Sequence, residues 1–288
     1  MPSAQRPRIG RSGPASRGRH KCASLSPKET PVQRYHLRHD NLTLSYLDAG
    51  GDGRVLIALP SHWMEGVTFA PLAAALAPAW RVVALDQRGH GYSDHAPQEG
   101  GYTREAYLGD VAALVAHLGI DTAVLLGNSL GGVNAYQFAA RHPDQVSALV
   151  VEDIGTVVAD DTSFALAWGG TYPSQEALAA RIGPRFMPYL ADAVRETPAG
   201  WRLAFDPRDT VASQGQLNGD YWADWLATTC PALLIRGRES RVTTPTLVEQ
   251  MVARRPHTRL VTLDGGHVVH MDNPTGFTSA VQAFLRDL

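Results

Sequence analysis

The chain has 288 residues, 44% of them hydrophobic and 19% charged, enough for one large domain able to bury roughly 70 to 75 % of its unfolded surface. A formal net charge of -2 at pH 7 leaves no basic footprint for nucleic acid or an anionic membrane. The chain has neither an apolar run of about 18 residues nor the apolar core of a secretory leader. The expectation is therefore a soluble, cytoplasmic protein that acts on small, uncharged or weakly charged molecules. Cys22 and Cys230 stand far apart with no metal-ligand or redox spacing, and read as free thiols in a reducing compartment.

In chain order, residues 1–32 are rich in Arg, Ser, Pro and Gly and almost free of acids. Such a segment buries too little apolar surface to offset its ordering entropy, which predicts a disordered basic tail; an organelle transit peptide is the other reading. From Tyr35 the texture changes. Tyr35–His39 and Leu42–Leu47 alternate with period two around Asp40-Asn41, which predicts an antiparallel hairpin. Continuous apolar runs follow at Val55–Leu59, Val82–Leu85, Ala123–Leu126, Ala148–Val151, Ala232–Ile235 and Leu260–Leu263. Runs apolar on both faces are what strands of a helix-covered parallel sheet require. Helical periodicity marks 67–78, 103–118, 130–142, 244–255 and 275–287, so strand and helix alternate and the fold class is α/β with a mostly parallel sheet. About 70 residues without a buried-strand run interrupt the rhythm after Val151. They predict a helical cap at 156–226, inserted into a core of 33–155 and 227–288, over the sheet end where ligands bind in such folds.

Gly127-Asn128-Ser129-Leu130-Gly131 joins an apolar strand to a helix. The pattern is that of a nucleophile elbow, in which a strained turn exposes the Ser129 hydroxyl and the flanking glycines let strand and helix approach. The Leu130 amide, at a helix N-terminus, would face a developing oxyanion. With three further motifs in order, the hairpin, Asp86-Gln-Arg-Gly-His-Gly-Tyr-Ser-Asp94, and Gly265-Gly-His267 followed by Asp272-Asn-Pro274, the chain resembles the α/β-hydrolase superfamily over about residues 33–288.

The resemblance implies roles. His267, in the loop after the last strand, would be the general base for Ser129; His270 is the alternative. His90 and His95, in the turn after the fourth strand, read as structural or pocket-lining. Where the superfamily has His-Gly plus an apolar residue after the third strand, this chain has Pro60-Ser61-His62-Trp63-Met64. Pro60 has no amide hydrogen, so the His62 amide is the expected second oxyanion donor, with Ser61 in reserve. Trp63, Met64, Asn128 and Trp168 are expected to contact substrate, although Trp63 and Met64 also suit the core. The register of Arg236-Gly-Arg-Glu-Ser-Arg-Val-Thr-Thr244 puts Ser240 where most members have an aspartate, with Glu239 one position off. Asp153 lies 153 − 129 = 24 positions after the nucleophile, where some branches carry the acid, and becomes the expected partner of His267 ahead of Glu239 and Glu152.

These assignments imply acyl transfer to Ser129 and then to water, with a small-molecule ester, thioester or lactone as substrate and no metal or organic cofactor. Three other readings stay open: a C–C bond hydrolase of aromatic degradation, a cofactor-free haloperoxidase-like enzyme, and a hydrolase-fold ligand receptor with slow turnover.

Overall fold

The structure is a computed structural model and describes residue 1 and residues 32–288; the expected tail and Cys22 fall outside the described residues. Eight strands form the central sheet: β1 (Gln33–His39), β2 (Leu42–Asp48), β3 (Arg54–Leu59), β4 (Trp80–Asp86), β5 (Ala123–Asn128), β6 (Val146–Glu152) and, after the insertion, β11 (Ala232–Gly237) and β12 (Thr258–Leu263). Helices α1 (Ala70–Leu76), α2 (Arg104–His117) and α3 (Leu130–Arg141) connect the first half; α8 (Pro245–Arg254), α9 (Val269–Asp272) and α10 (Pro274–Arg286) follow β11 and β12. Between β6 and β11 lie β7 (Val157–Val158), α4 (Gln175–Ile182), α5 (Met187–Leu190), β8 (Val194–Thr197), β9 (Gly200–Leu203), α6 (Pro207–Leu217), β10 (Gly219–Asp220) and α7 (Trp222–Leu226).

The sheet order is β1-β2-β4-β3-β5-β6-β11-β12. β1 pairs antiparallel with β2 across Asp40 and Asn41, both at positive φ as a two-residue hairpin turn demands. β2 runs antiparallel to β4, and the remaining pairs are parallel. The apolar runs of β3, β4, β5, β6 and β11 are continuous because these inner strands are covered on both faces, whereas the edge strands β1 and β12 are largely half-buried or exposed. Ile57, Leu59, Leu125, Leu149 and Val151 face the side packed by α2, α3 and α8, whereas Leu56, Ala58, Val124, Leu126 and Val150 face α1 and α10. Each of the leucine, isoleucine and valine side chains among these contributes about 1.5 to 3 kcal/mol on burial. From β3 the chain turns to β4 on one side, and from β5 to β6 on the other. The C-terminal ends of β3 and β5 therefore flank the switch point, the place in an open α/β sheet where a crevice forms.

The insertion differs from the expected helical cap. It holds α4, α5 and α6, but also an antiparallel hairpin of β8 and β9 and a short β7·β10 pair. These strands run only two to four residues and are mostly half-buried, too short for a period-two signal to register. Ala165, Trp168, Leu178, Ile182, Leu190 and Phe205 give the insertion an apolar cluster of its own. Trp225 departs from that cluster: it packs edge-on to Tyr136 of α3 and donates through Nε1 to Met251 O at 3.1 Å, within the main core. No helix among the described residues is long and apolar enough to cross a membrane.

Candidate active site

Ser129 is the turn between β5 and α3, with φ 53° and ψ −116°. A non-glycine residue there is strained by roughly 1 to 3 kcal/mol and persists only where its surroundings hold it. Two glycines make the turn possible: a Cβ on Gly127 would come within 2.1 Å of Gly131 O, and one on Gly131 within 1.9 Å of Leu59 O. The Ser129 N–H donates to Glu152 O at 3.1 Å, tying the elbow to β6. Leu130 opens α3, where an amide has no intrahelical acceptor.

Six non-glycine residues among the described ones have φ in the left-handed region. Two turn the first hairpin; three others, Trp63, Ser129 and Asp153, lie on the loops at the C-terminal ends of β3, β5 and β6. Strain of this kind collects where side chains are aimed for a purpose.

Asp153 is 2% exposed and all four lone-pair directions of its carboxylate are used. Oδ2 accepts from His267 Nδ1 at 2.8 Å and from the Ser240 hydroxyl. Oδ1 accepts from the Gly237 N–H and the Thr243 hydroxyl, each at 3.0 Å. Gly237 ends β11, and Ser240 and Thr243 lie in the stretch after it, so the end of this strand and the loop that lacks an aspartate supply the cradle for Asp153 instead. Ser240, at the position where most members have an aspartate, donates to Asp153. Glu239 is exposed at the rim of the cavity, and its amide bonds Gly265 O. With Nδ1 of His267 engaged by Asp153, Nε2 is the nitrogen left for the substrate side. Ser129 and His267 line one cavity of about 800 Å³; the hydrogen bonds of the described residues do not include one between them, and such contacts often tighten only in a substrate complex.

The loop after β3 also lines this cavity, through Ser61, His62, Trp63 and Met64. Burial, with His90, Arg104 and His267 nearby, holds His62 well below the usual imidazole range, so its ring is neutral; Nε2 shares a 2.8 Å hydrogen bond with Ser213 Oγ of α6. The Asp86–Asp94 motif works as scaffolding: Asp86 accepts from Gly66 and Tyr92 amides, and Arg88 forks onto Asp110 of α2. His90 is buried and pushed down to about 4 by desolvation, and it lines no part of the cavity.

Two expected substrate contacts are corrected. Asn128 is fully buried, and its side-chain amide donates to Glu152 O at 3.3 Å and His267 O at 3.1 Å, so it joins the elbow to the His267 loop and does not reach the cavity. Trp168 is turned into the insertion's own cluster, because its neighbours there are apolar. The aromatic walls are Phe164, Phe186 and Tyr189 together with Trp63; pattern reading had no means to choose these rings over Trp168. Glu152 and His270, the alternatives for acid and base, are buried against each other at 2.8 Å, with His270 stacked on Phe69.

His95 and Asp209 join the turn after β4 to α6. His95 Nδ1 lies 2.7 Å from Asp209 Oδ2, which also accepts from Tyr102 at 2.7 Å. The hydrogen bond to Asp209 raises the imidazole above its ordinary 6.5, while burial opposes the hydrogen bonds that hold Asp209 below its own ordinary value. A raised histidine pKa adds stability that is complete below pH 6.5 and is lost as pH rises through the folded value. The melting temperature of the native protein should therefore exceed that of His95→Asn by more at about pH 5.5 than at about pH 8.5; an unchanged gap would remove the charge from this contact.

A family model described as the alpha/beta hydrolase fold matches residues 55–274. The 2-(acetamidomethylene)succinate hydrolase of Mesorhizobium japonicum is 27% identical over 249 residues, covering 82% of this chain and 89% of that protein. The N-formylmaleamate deformylase of Pseudomonas putida is 26% identical, covering 83% of this chain and 91% of its own length. Among solved structures, E-2-(acetamidomethylene)succinate hydrolase superposes with a TM-score of 0.80 at 24% identity, over 89% of this chain and 100% of that one.

Proposed function

We propose, from the premise that this chain belongs to the alpha/beta hydrolase fold family, that it is a serine hydrolase cleaving a carboxylic ester, thioester or lactone through an acyl-enzyme on Ser129. The observation that carries the reading is the 2.8 Å contact of His267 Nδ1 with the fully buried Asp153 carboxylate, on the same cavity as the strained Ser129. A hydroxyl needs an adjacent imidazole to become a nucleophile at neutral pH. In the proposed cycle His267 Nε2 takes the Ser129 proton as Oγ attacks the carbonyl carbon. The resulting oxyanion accepts from the Leu130 and His62 amides, and His267 returns the proton to the departing alkoxide or thiolate. Water then repeats the sequence, releasing the acid and restoring Ser129. Asp153 orients the imidazole and stabilises its charged form. Relatives named as a hydrolase and a deformylase support hydrolysis of an acyl group, and Trp63, Met64, Phe164, Phe186 and Leu190 offer an apolar surface for that acyl group.

The test is covalent. A fluorophosphonate should add one phosphonyl group per chain, at Ser129, and stop turnover in step with labelling; labelling elsewhere, or activity that survives full labelling of Ser129, defeats the proposal. A panel of esters, thioesters, lactones and a vinylogous diketone on the same preparation ranks oxygen and sulfur leaving groups against C–C cleavage.

A further inference from the structure

The loop that would offer the second oxyanion donor is held by two different bodies. Its ends are fixed to the core by consecutive residues at the end of β4: Gln87 Nε2 donates to Pro60 O at 2.5 Å, and the Gly66 N–H donates to Asp86 Oδ1 at 2.7 Å. Gln87 is in turn braced by Asn134 of α3, which bonds the buried Arg104. The middle of the loop reaches into the insertion at three successive points. His62 Nε2 bonds Ser213 Oγ of α6 at 2.8 Å, and Ser213 is itself bonded to Tyr107 at 2.8 Å. Trp63 meets Trp168, Phe164 and Phe186 edge to face, with ring centroids at 5.2, 5.8 and 6.0 Å, and packs against the insertion's apolar cluster. The buried Glu65 carboxylate accepts from Arg195 of β8.

Between these contacts the backbone is strained. Trp63 has φ +71° at the third position of a turn closed by Met64 N–H to Ser61 O at 3.4 Å, a conformation that glycine ordinarily supplies. The groups that hold the Trp63 ring in place belong to the insertion. We infer that the insertion positions the oxyanion donor: Ser213 and Arg195, gripping His62 and Glu65 from either side of Trp63, are positioning residues for turnover, beyond any part the insertion plays in choosing substrate. The inference rests on the serine-hydrolase reading above and adds a second role for the cap. A displaced amide leaves the tetrahedral intermediate poorly solvated while the ground-state ester, which needs no such donor, binds as before.

The experiment compares Ser213→Ala, Arg195→Met and the double variant of the full chain, using p-nitrophenyl acetate, whose acyl group is too small to span the cavity. kcat is expressed per Ser129 labelled by fluorophosphonate, so unfolded protein drops out, and the single variants carry the test should the double variant not fold. The double variant should lose about 10- to 100-fold in kcat with KM changed by less than about threefold. Affinity for a trifluoromethyl ketone, whose hemiketal oxygen occupies the oxyanion position, should fall in the same proportion, and Ser213→Thr with Arg195→Lys should recover most of it. A change confined to KM, or a fall in kcat with trifluoromethyl ketone affinity intact, overturns the inference while leaving the Ser129 assignment standing. Failure of the native protein to label at Ser129 overturns both.

Discussion

Ser129→Ala is expected to remove essentially all turnover of small esters, because in the proposed cycle every later step needs the acyl-enzyme on its oxygen. Loss of the nucleophile in a well-studied serine protease lowers kcat by about 2 × 10⁶, and what survives comes from binding and the oxyanion hole alone. The substitution deletes one oxygen from a residue only 9% exposed. It leaves the Ser129 N–H on Glu152 O and the φ 53° turn intact, so the folded state should survive. Melting temperature should change by a few degrees at most, and the protein should still bind substrate. Turnover within tenfold of the native rate, in a protein that melts normally, would sink the nucleophile assignment and with it the acyl-enzyme.

Asp153→Asn should lower kcat by about 10⁴, as the neutral amide does in the comparable protease triad, whereas Glu239→Gln should alter it by less than tenfold. The asymmetry follows from the geometry. Asp153 contacts His267 at 2.8 Å from a fully buried position, whereas Glu239 is exposed at the rim and makes no bond to the imidazole. An amide at 153 would also turn an NH2 toward one pair of the four donors now satisfied by the carboxylate, at about 1 to 3 kcal/mol for an unpaired buried group. Stability must therefore be followed alongside rate: a fall in kcat in protein that melts normally reports on catalysis, and a fall in melting temperature reports on folding. The reverse ranking of the two variants would return the acid to the loop after β11.

Much of this architecture was legible because it rests on short-range rules. The eight strands of the sheet and the helices α2, α3, α8 and α10 coincide with the apolar runs and periodic segments, since burial on two faces or one stripe writes itself directly into residue order. The Asp40-Asn41 turn and the elbow were readable for the same reason: each needs particular residues at fixed offsets. The distance of 24 positions from Ser129 to Asp153 spans α3 and β6, so the chain returns one strand over from Ser129, next to the loop after β11.

Other features are matters of packing between distant segments. That Ser240 and Thr243 donate to Asp153 depends on β6 and β11 being adjacent, and sequence order separates them by the whole insertion. Asn128 and Trp168 failed as substrate contacts because periodicity shows that a residue is buried but not against what: the amide of Asn128 is consumed by two backbone carbonyls, and the indole of Trp168 by the insertion's own rings. The β8–β9 hairpin was invisible because strands of four residues carry too few alternations to stand out from half-polar helix. The sequence by itself determined the α/β class, the strained Ser129 and the candidate partners His267 and Asp153, all of which follow from local steric demands and the two-faced burial of strands. Only the tertiary structure decided which carboxylate meets the imidazole, which rings wall the cavity and how the loop around Trp63 is shared between core and insertion, because each of these is a contact between segments whose separation along the chain carries no information about their distance in space.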